Sequence, residues 1–496
     1  APAGAPQSAE ERRLAMLNQR FPHLAAEERA KKLRGTHELT SIGASPLFAA
    51  AVLGQEQSVR ALLDAGADAA LANAWAATPL YAASARGFAA VVETLLSAGA
   101  NATALTVEDS SPLAAAAHSG STSVVNLLLA HGVSVSGSDK ASALPLLLAS
   151  MSGHVEVAAL LLAAGANVSA VNPAGETPLH MAAQAGSVPT LSLLLSAGAR
   201  IDDRTLHGET ALYLAVDQSR IEAVELLLAA GAEVDARNKL GATPLYVAAY
   251  RGFAAPALHL LAHGANVSLA MKGGFTPLYI AAQNGHVALV EALLLHGATV
   301  DAARENGATP LFIAAHRGHA GVVDTLLAHG ASVHVTDAAG TSAVYTAAER
   351  GHLDALRVLL QAGADVDRKA RDGSTPLHAC VRDLRTDAMQ VLLNHGADIN
   401  AVNADGETAL LRAARSGHAA TVQFLLRAGA ATDVATRAGA TALSEAQRAR
   451  QSKIVELLQA HKAAAEGTAT AEQQVLLTAQ MESVRFEVVP PRTPGE

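Results

Sequence analysis

Residues 307–339 read GATPLFIAAHRGHAGVVDTLLAHGASVHVTDAA. Thr309 stands where a helix needs a side-chain oxygen to accept a bond from its free backbone N–H groups. Pro310 follows at the first helical position, where its missing N–H costs nothing. LFIAAHR is then a short helix whose two alanines permit close helix contact, and Gly318 can take the left-handed conformation that ends it. AGVVDTLLAHG is a second helix, with Val322, Val323, Leu326 and Leu327 at helical spacing and Gly330 closing it. The remainder, ASVHVTDAA, reads as an extended segment leading through a tight turn to the next unit.

Counterparts of Thr309 recur at Ser45, Thr78, Ser111, Leu144, Thr177, Thr210, Thr243, Thr276, Ser342, Thr375, Thr408 and Thr441, each 33 residues from the last. Thirteen units therefore run from about residue 41 to 462 without an insertion. A period this strict implies a stacked array in which each unit buries its apolar faces against its neighbours. Outside it, residues 1–40 are expected to form a helical cap over the first unit, and residues 463–496 a tail with a short helix and an extended Pro-containing end. In six units a residue other than glycine holds a turn position. Ala76, Asp109 and Ser142 occupy hairpin tips, making those hairpins less certain, and Ser219, Leu384 and Arg450 occupy inter-helix turns that they are expected to distort.

Composition fits this architecture. Half of the residues are apolar but only 3% are aromatic, so the interior is built from Ala, Leu and Val. The formal charge of −9 argues against general nucleic-acid binding. Cys380 is the one cysteine, which excludes an internal disulfide framework and fits a reducing, intracellular compartment. No apolar run is long enough to span a membrane. The opening Ala1 fits removal of an initiator Met as well as cleavage of an organellar targeting peptide, so the cytoplasm and an organelle both stay open.

The chain resembles the ankyrin-repeat family: a 33-residue period, a T-P-L-H-like opening, A-A, G-H, V-V, L-L-L and G-A-D-V-N. GSTPLHACVRD at 373–383 and LLNHGADINAVNADGETAL at 392–410 carry the pattern almost verbatim. The resemblance implies an all-α solenoid of helix–turn–helix units joined by hairpin-like loops, with a concave face used to bind other proteins.

Comparison of positions within the chain sorts scaffold from candidate site. The position of His319 holds His154, His286, His352 and His418 but also Phe88, Phe253, Arg220 and Ser187, and phenylalanine cannot replace a metal ligand. A second position alternates His131, His263, His296, His329, His395 and His461 with alanine. Both are expected to be structural, with ring nitrogens bonding local backbone. The tyrosines Tyr81, Tyr213, Tyr246, Tyr279 and Tyr345 share one position and read as inter-repeat packing. Asn101, Asn167 and Asn266 begin N-x-[ST] sequons, yet Asp68, Asp365 and Asp398 share their position, so turn polarity is expected. Asn400 resembles the asparagine that is hydroxylated in many ankyrin repeats, against the reading of an ordinary turn residue. Cys380 stands where alanine is usual and reads as a small buried residue. No catalytic, cofactor or metal motif occurs.

The variable positions are the hairpin tips and the two residues before the inter-helix glycine. In units seven to eleven they hold Lys239, Leu240, Tyr250, Arg251, Lys272, Phe275, His316, Arg317, Arg350, Arg371 and Arg382, interrupted by Glu305, Glu349, Asp372 and Asp383. These eleven residues are the expected partner surface, selecting an acidic or mixed-charge protein segment. The function expected is a non-catalytic interaction scaffold; the alternative is a constitutive linker subunit of a large assembly.

Overall fold

The computed structural model describes residues 43–135, 140–468, 470 and 473–474, and of residues 140–144 the backbone. The cap expected over residues 1–40 and most of the tail beyond 463 lie outside the described residues. The thirteen sequence units appear as thirteen helix pairs. They form two compact bodies divided after Gly231, six pairs in the first and seven in the second.

One pair shows why the sequence folds this way. The Thr309 side chain accepts a bond from the Phe312 N–H, opening helix Pro310–Arg317, and Gly318 ends it at φ 80°. Helix Ala320–Ala328 follows at once. Leu311, Ala314, Ala315, Val322, Val323 and Leu326 are fully buried between the two helices and the neighbouring pairs. Small residues on the first helix and branched or larger ones on the second let successive pairs stack closely without aromatic filling.

The loops close on side chains rather than on strands. Asn73, Asn172, Asn238, Asp337 and Asn403 each accept the N–H groups two and four residues on through one oxygen, fixing the hairpin tip. Extended pairing among the described residues is limited to three isolated antiparallel bridges, Met271 with Phe275, Thr336 with Ser342 and Ala435 with Thr441.

Unit four departs from the pattern. Its helix runs from Lys140 to Ser152 with Pro145 inside it. Leu144 has no oxygen to cap a helix at the usual point, so the helix begins early and Ser142 lies within it instead of at a hairpin tip. At the other substituted positions the turn survives. Ala76, Asp109, Ser219, Leu384 and Arg450 are the five non-glycine residues with positive φ among those described, between 53° and 57°. The helices before Ser219, Leu384 and Arg450 each end two residues before that turn residue, at Asp217, Arg382 and Arg448. The expected distortion amounts to that.

Histidine explains the glycine between the helices. The His319 Nε2–H donates to the Gln283 carbonyl of the preceding unit at 3.0 Å, as His154, His286 and His352 do to His118, Tyr250 and His316. Arg220 makes the same bond to Gln184 through Nε. The imidazole thereby lies over the glycine of the unit before it: a Cβ at Gly318 would come within 2.5 Å of the His352 ring. Gly330, which ends the second helix, faces open space. Gly318→Ala is therefore expected to cost about 2 kcal/mol or more, since backbone strain and ring displacement add, and Gly330→Ala only about 1 kcal/mol. Leu384→Gly, which releases strain, should gain about 0.5 kcal/mol. Urea unfolding of the three variants checks the order; equal costs for the two alanines would show that the histidine contact is not what constrains Gly318.

Candidate functional site

The first helices of the second body end on a repeated geometry. Buried Ala-Ala pairs such as Ala248 with Ala249 and Ala347 with Ala348 face the stack, so the next two residues turn outward before the glycine. These pairs are Tyr250 and Arg251, Gln283 and Asn284, His316 and Arg317, Glu349 and Arg350; in unit eleven Arg382 and Asp383 hold the same positions after Cys380 and Val381, with Leu384 in place of the glycine.

Tyr250 is half exposed, with the Arg251 guanidinium 6.0 Å from its ring centroid. The Asn284 amide donates to the Tyr250 carbonyl at 2.8 Å, fixing the backbone under it. Arg317 and Arg350 are exposed and make no ion pair or hydrogen bond with the described residues. Together with Arg251 they occupy one register position in units seven, nine and ten. Each closes a helix, where a cation also interacts favourably with the carbonyl end.

His316 is less available than its variable position suggests. Its Nδ1 lies 2.7 Å from the Thr346 hydroxyl of the next unit, and its ring stacks on Phe312 at 6.4 Å. Burial, then the Arg350 and Arg317 guanidiniums, hold its pKa below the usual imidazole value. Phe275 is likewise engaged within the stack. It packs edge-on against the buried Tyr279 at 5.7 Å, and the Arg304 guanidinium sits 3.7 Å from its centroid. Arg382 pairs with Glu349 of the preceding unit and lies 3.9 Å from Asp383. Lys239, Leu240, Lys272 and Arg371 are exposed at hairpin tips. The structure thus places Tyr250, Arg251, Arg317 and Arg350 at the exposed ends of first helices, four residues at tips, and Phe275, His316 and Arg382 in contacts between units.

Two groups escaped the sequence reading. Arg304 closes over Phe275 and Tyr279 and donates from Nε to the Gly273 carbonyl at 3.2 Å. It stands where other hairpins carry Asn238, Asp337 or Asn403, and that exchange was its signal. The second group is a buried network in units eleven and twelve. The Glu407 carboxylate pairs with Arg415, lies 3.8 Å from Arg412 Nε and accepts from Asn403 Nδ2 at 3.3 Å. Arg412 also donates to Ser374 Oγ at 3.1 Å and to the His378 carbonyl at 3.4 Å. Arg412 occupies the position of Val247, Ile280 and Ile313, so a cation among apolar residues marked the network.

The remaining expectations concern scaffold. His131, His263, His296, His329 and His395 donate from Nδ1 to the carbonyl four residues back at 2.8–2.9 Å. Asn101, Asn167 and Asn266 spend their side-chain oxygens on the N–H two residues on, as Asp68, Asp365 and Asp398 do. Asn400 accepts from the Ala431 N–H of the next unit at 2.8 Å. Cys380 is buried, its thiol pushed up to about 12 by burial. Among the described residues no group of His, Cys, Asp and Glu side chains has the arrangement of a metal site, and no helix is long and apolar enough to cross a membrane.

Such a stack of helix–turn–helix units, with varied side chains on a repeated frame, defines a class of recognition proteins. Family models for ankyrin repeats match residues 47–96 and, in seven overlapping segments, residues 99–470. The chain belongs to the ankyrin-repeat family. Ankyrin repeats are generally protein–protein interaction modules, and proteins built from them are generally non-catalytic. The crystal structure of the human ASB11 ankyrin repeat domain is similar at 32% identity, with a TM-score of 0.42, covering 44% of this chain and 97% of that one. Comparison with the curated proteins gives no match.

Proposed function

We propose that this chain is a non-catalytic scaffold that holds a partner protein against the first-helix ends of units seven to ten. The observation that carries this reading is the pair Arg317 and Arg350: exposed, unpaired among the described residues, and in register with Arg251 beside the half-exposed Tyr250. Arginine and tyrosine bury large areas while offering directed hydrogen bonds, and they dominate interface energetics. Three guanidiniums in one register select a segment that carries carboxylates. Glu349, drawn toward Arg382, breaks the positive row and restricts that segment to a mixed sequence. Leu240 and Lys272 at the tips extend the surface.

Exchanging Tyr250, Arg251, Arg317 and Arg350 together for alanine is expected to leave the thermal unfolding midpoint nearly unchanged. Partner capture should weaken at least tenfold, about 1.4 kcal/mol. Arg86 holds the same register position in the first body, and Arg86→Ala is the control. Capture unaffected by the quadruple exchange but lost on Arg86→Ala would place recognition elsewhere.

A further inference from the structure

The two bodies differ sharply in charge. Residues 43–231 carry six Lys and Arg against fifteen Asp and Glu, whereas residues 232–468 carry twenty-one of each. Over residues 61–135 of that body, Arg86 is the one Lys or Arg against five Asp and Glu.

That same stretch carries exposed apolar hairpins. Trp75 at the tip of unit two is 45% exposed, and Val107 at the tip of unit three is 66% exposed. The two tips are joined directly, the Val107 N–H donating to the Trp75 carbonyl at 3.0 Å. Leu71 and Leu105, on the arms of the same hairpins, are 52% and 41% exposed. Glu108 and Asp109 follow Val107 at its tip, both exposed.

Backbone strain falls at the same place. Ala76 and Asp109 close these two tips at φ 56° and 57°, where every later described tip, from Gly175 to Gly439, uses glycine. Each strained turn is held by a side chain: Asn73 Oδ1 accepts from the Trp75 and Ala77 N–H groups, and Thr106 Oγ1 from the Ser110 N–H. A left-handed alanine or aspartate costs energy that a glycine would not. Adjoining exposed apolar side chains with polar residues beside them mark a contact surface, and strained backbone clusters at such sites.

We propose that the hairpin edge of units two and three docks a basic, apolar segment of a partner protein, with Trp75 and Val107 in contact with its apolar side chains and Glu108 and Asp109 with its lysines or arginines. Charge decides between occupants. A second copy carries a net charge of −9 and disfavours approach to this acidic edge, and an anionic lipid surface would be repelled in the same way. This edge lies in the first body and is independent of the surface proposed above.

Trp75 is the chain's only tryptophan, so its emission reports on this edge alone. The full chain is titrated with a synthetic amphipathic lysine–leucine peptide and, separately, with its glutamate–leucine counterpart. The first should shift Trp75 emission to the blue in a saturable, salt-sensitive manner, and the second should not. Glu108→Gln with Asp109→Gly should weaken the response at least fivefold. The glycine suits the turn, so this variant keeps its fold, which circular dichroism confirms. Glu222→Gln with Glu225→Gln, on a second helix of the same body, should leave the response unchanged. An absent response to the lysine peptide overturns the proposal, as does an equal response to both peptides. So does equal weakening by both variants. A shift driven by the chain's own concentration, or by phosphatidylserine vesicles, assigns the edge to a second copy or to lipid and overturns it. An emission already at the position of a buried indole in the dilute free chain means the chain covers the edge itself, with the same consequence.

Discussion

Glu407→Ala is expected to destabilise units eleven and twelve by about 3 kcal/mol, the low end of the range for breaking a buried ion pair. The Glu407 side chain is 8% exposed and balances two arginines that would lose their counter-charge together. Arg412 would suffer more, because its side chain is 23% exposed and held toward Ser374 and the His378 carbonyl. Arg415, 42% exposed, can swing into water, which keeps the cost near the lower bound. Glu407→Gln, which keeps an acceptor for Asn403, should cost less. Each unit leans only on its neighbours, so the loss should stay local: hydrogen exchange should accelerate over residues 376–427 and hardly change over 244–284. Uniform acceleration along the second body would contradict nearest-neighbour stacking.

His378 is expected to make stability depend on pH between about 6.5 and 4. Burial pushes its pKa down from 6.5 to about 4, and the geometry agrees. Nδ1 accepts from the Thr375 N–H at 3.2 Å while Nε2–H donates to the Glu407 carbonyl at 2.8 Å, so a second proton would face a donor. The unfolded chain binds this proton first as pH falls. The stabilisation is therefore complete above pH 6.5 and is lost progressively toward pH 4, for at most about 3 kcal/mol. His180, buried in the same position with the same bonds to Thr177 and Glu209, is shifted in the same direction by burial and should add to the effect. Tyrosine fills this position at Tyr279 and Tyr345, so His378→Tyr is accommodated and should flatten the profile. An unchanged slope between pH 4 and 6.5 would assign the dependence to other groups.

Much of this frame is legible in the sequence because stacking repeats each constraint every 33 residues. A position that holds histidine, phenylalanine and arginine in different units cannot be a metal site, and the His319 position does serve as a strap to the preceding unit. The missed features arise where one unit departs from the rest. Arg304 meets rings 25 and 29 residues away in sequence and Arg412 reaches back 38 residues to Ser374, besides Glu407 five residues before it, and only the fold brings these groups together. His316 and Phe275 occupy variable positions, but variability alone cannot distinguish a residue turned outward from one turned toward the next unit. Unit four misled for a local reason: lacking a cap oxygen at Leu144, it starts its helix early.

Hydrogen exchange across the full chain, free and in complex with a captured partner, reads the partner surface segment by segment. New protection is expected at the ends of the first helices of units seven, nine and ten, residues 248–252, 314–318 and 347–351, with the second helices of those units unchanged. Protection confined to the second helices, with those three segments exchanging as in the free chain, would contradict that expectation.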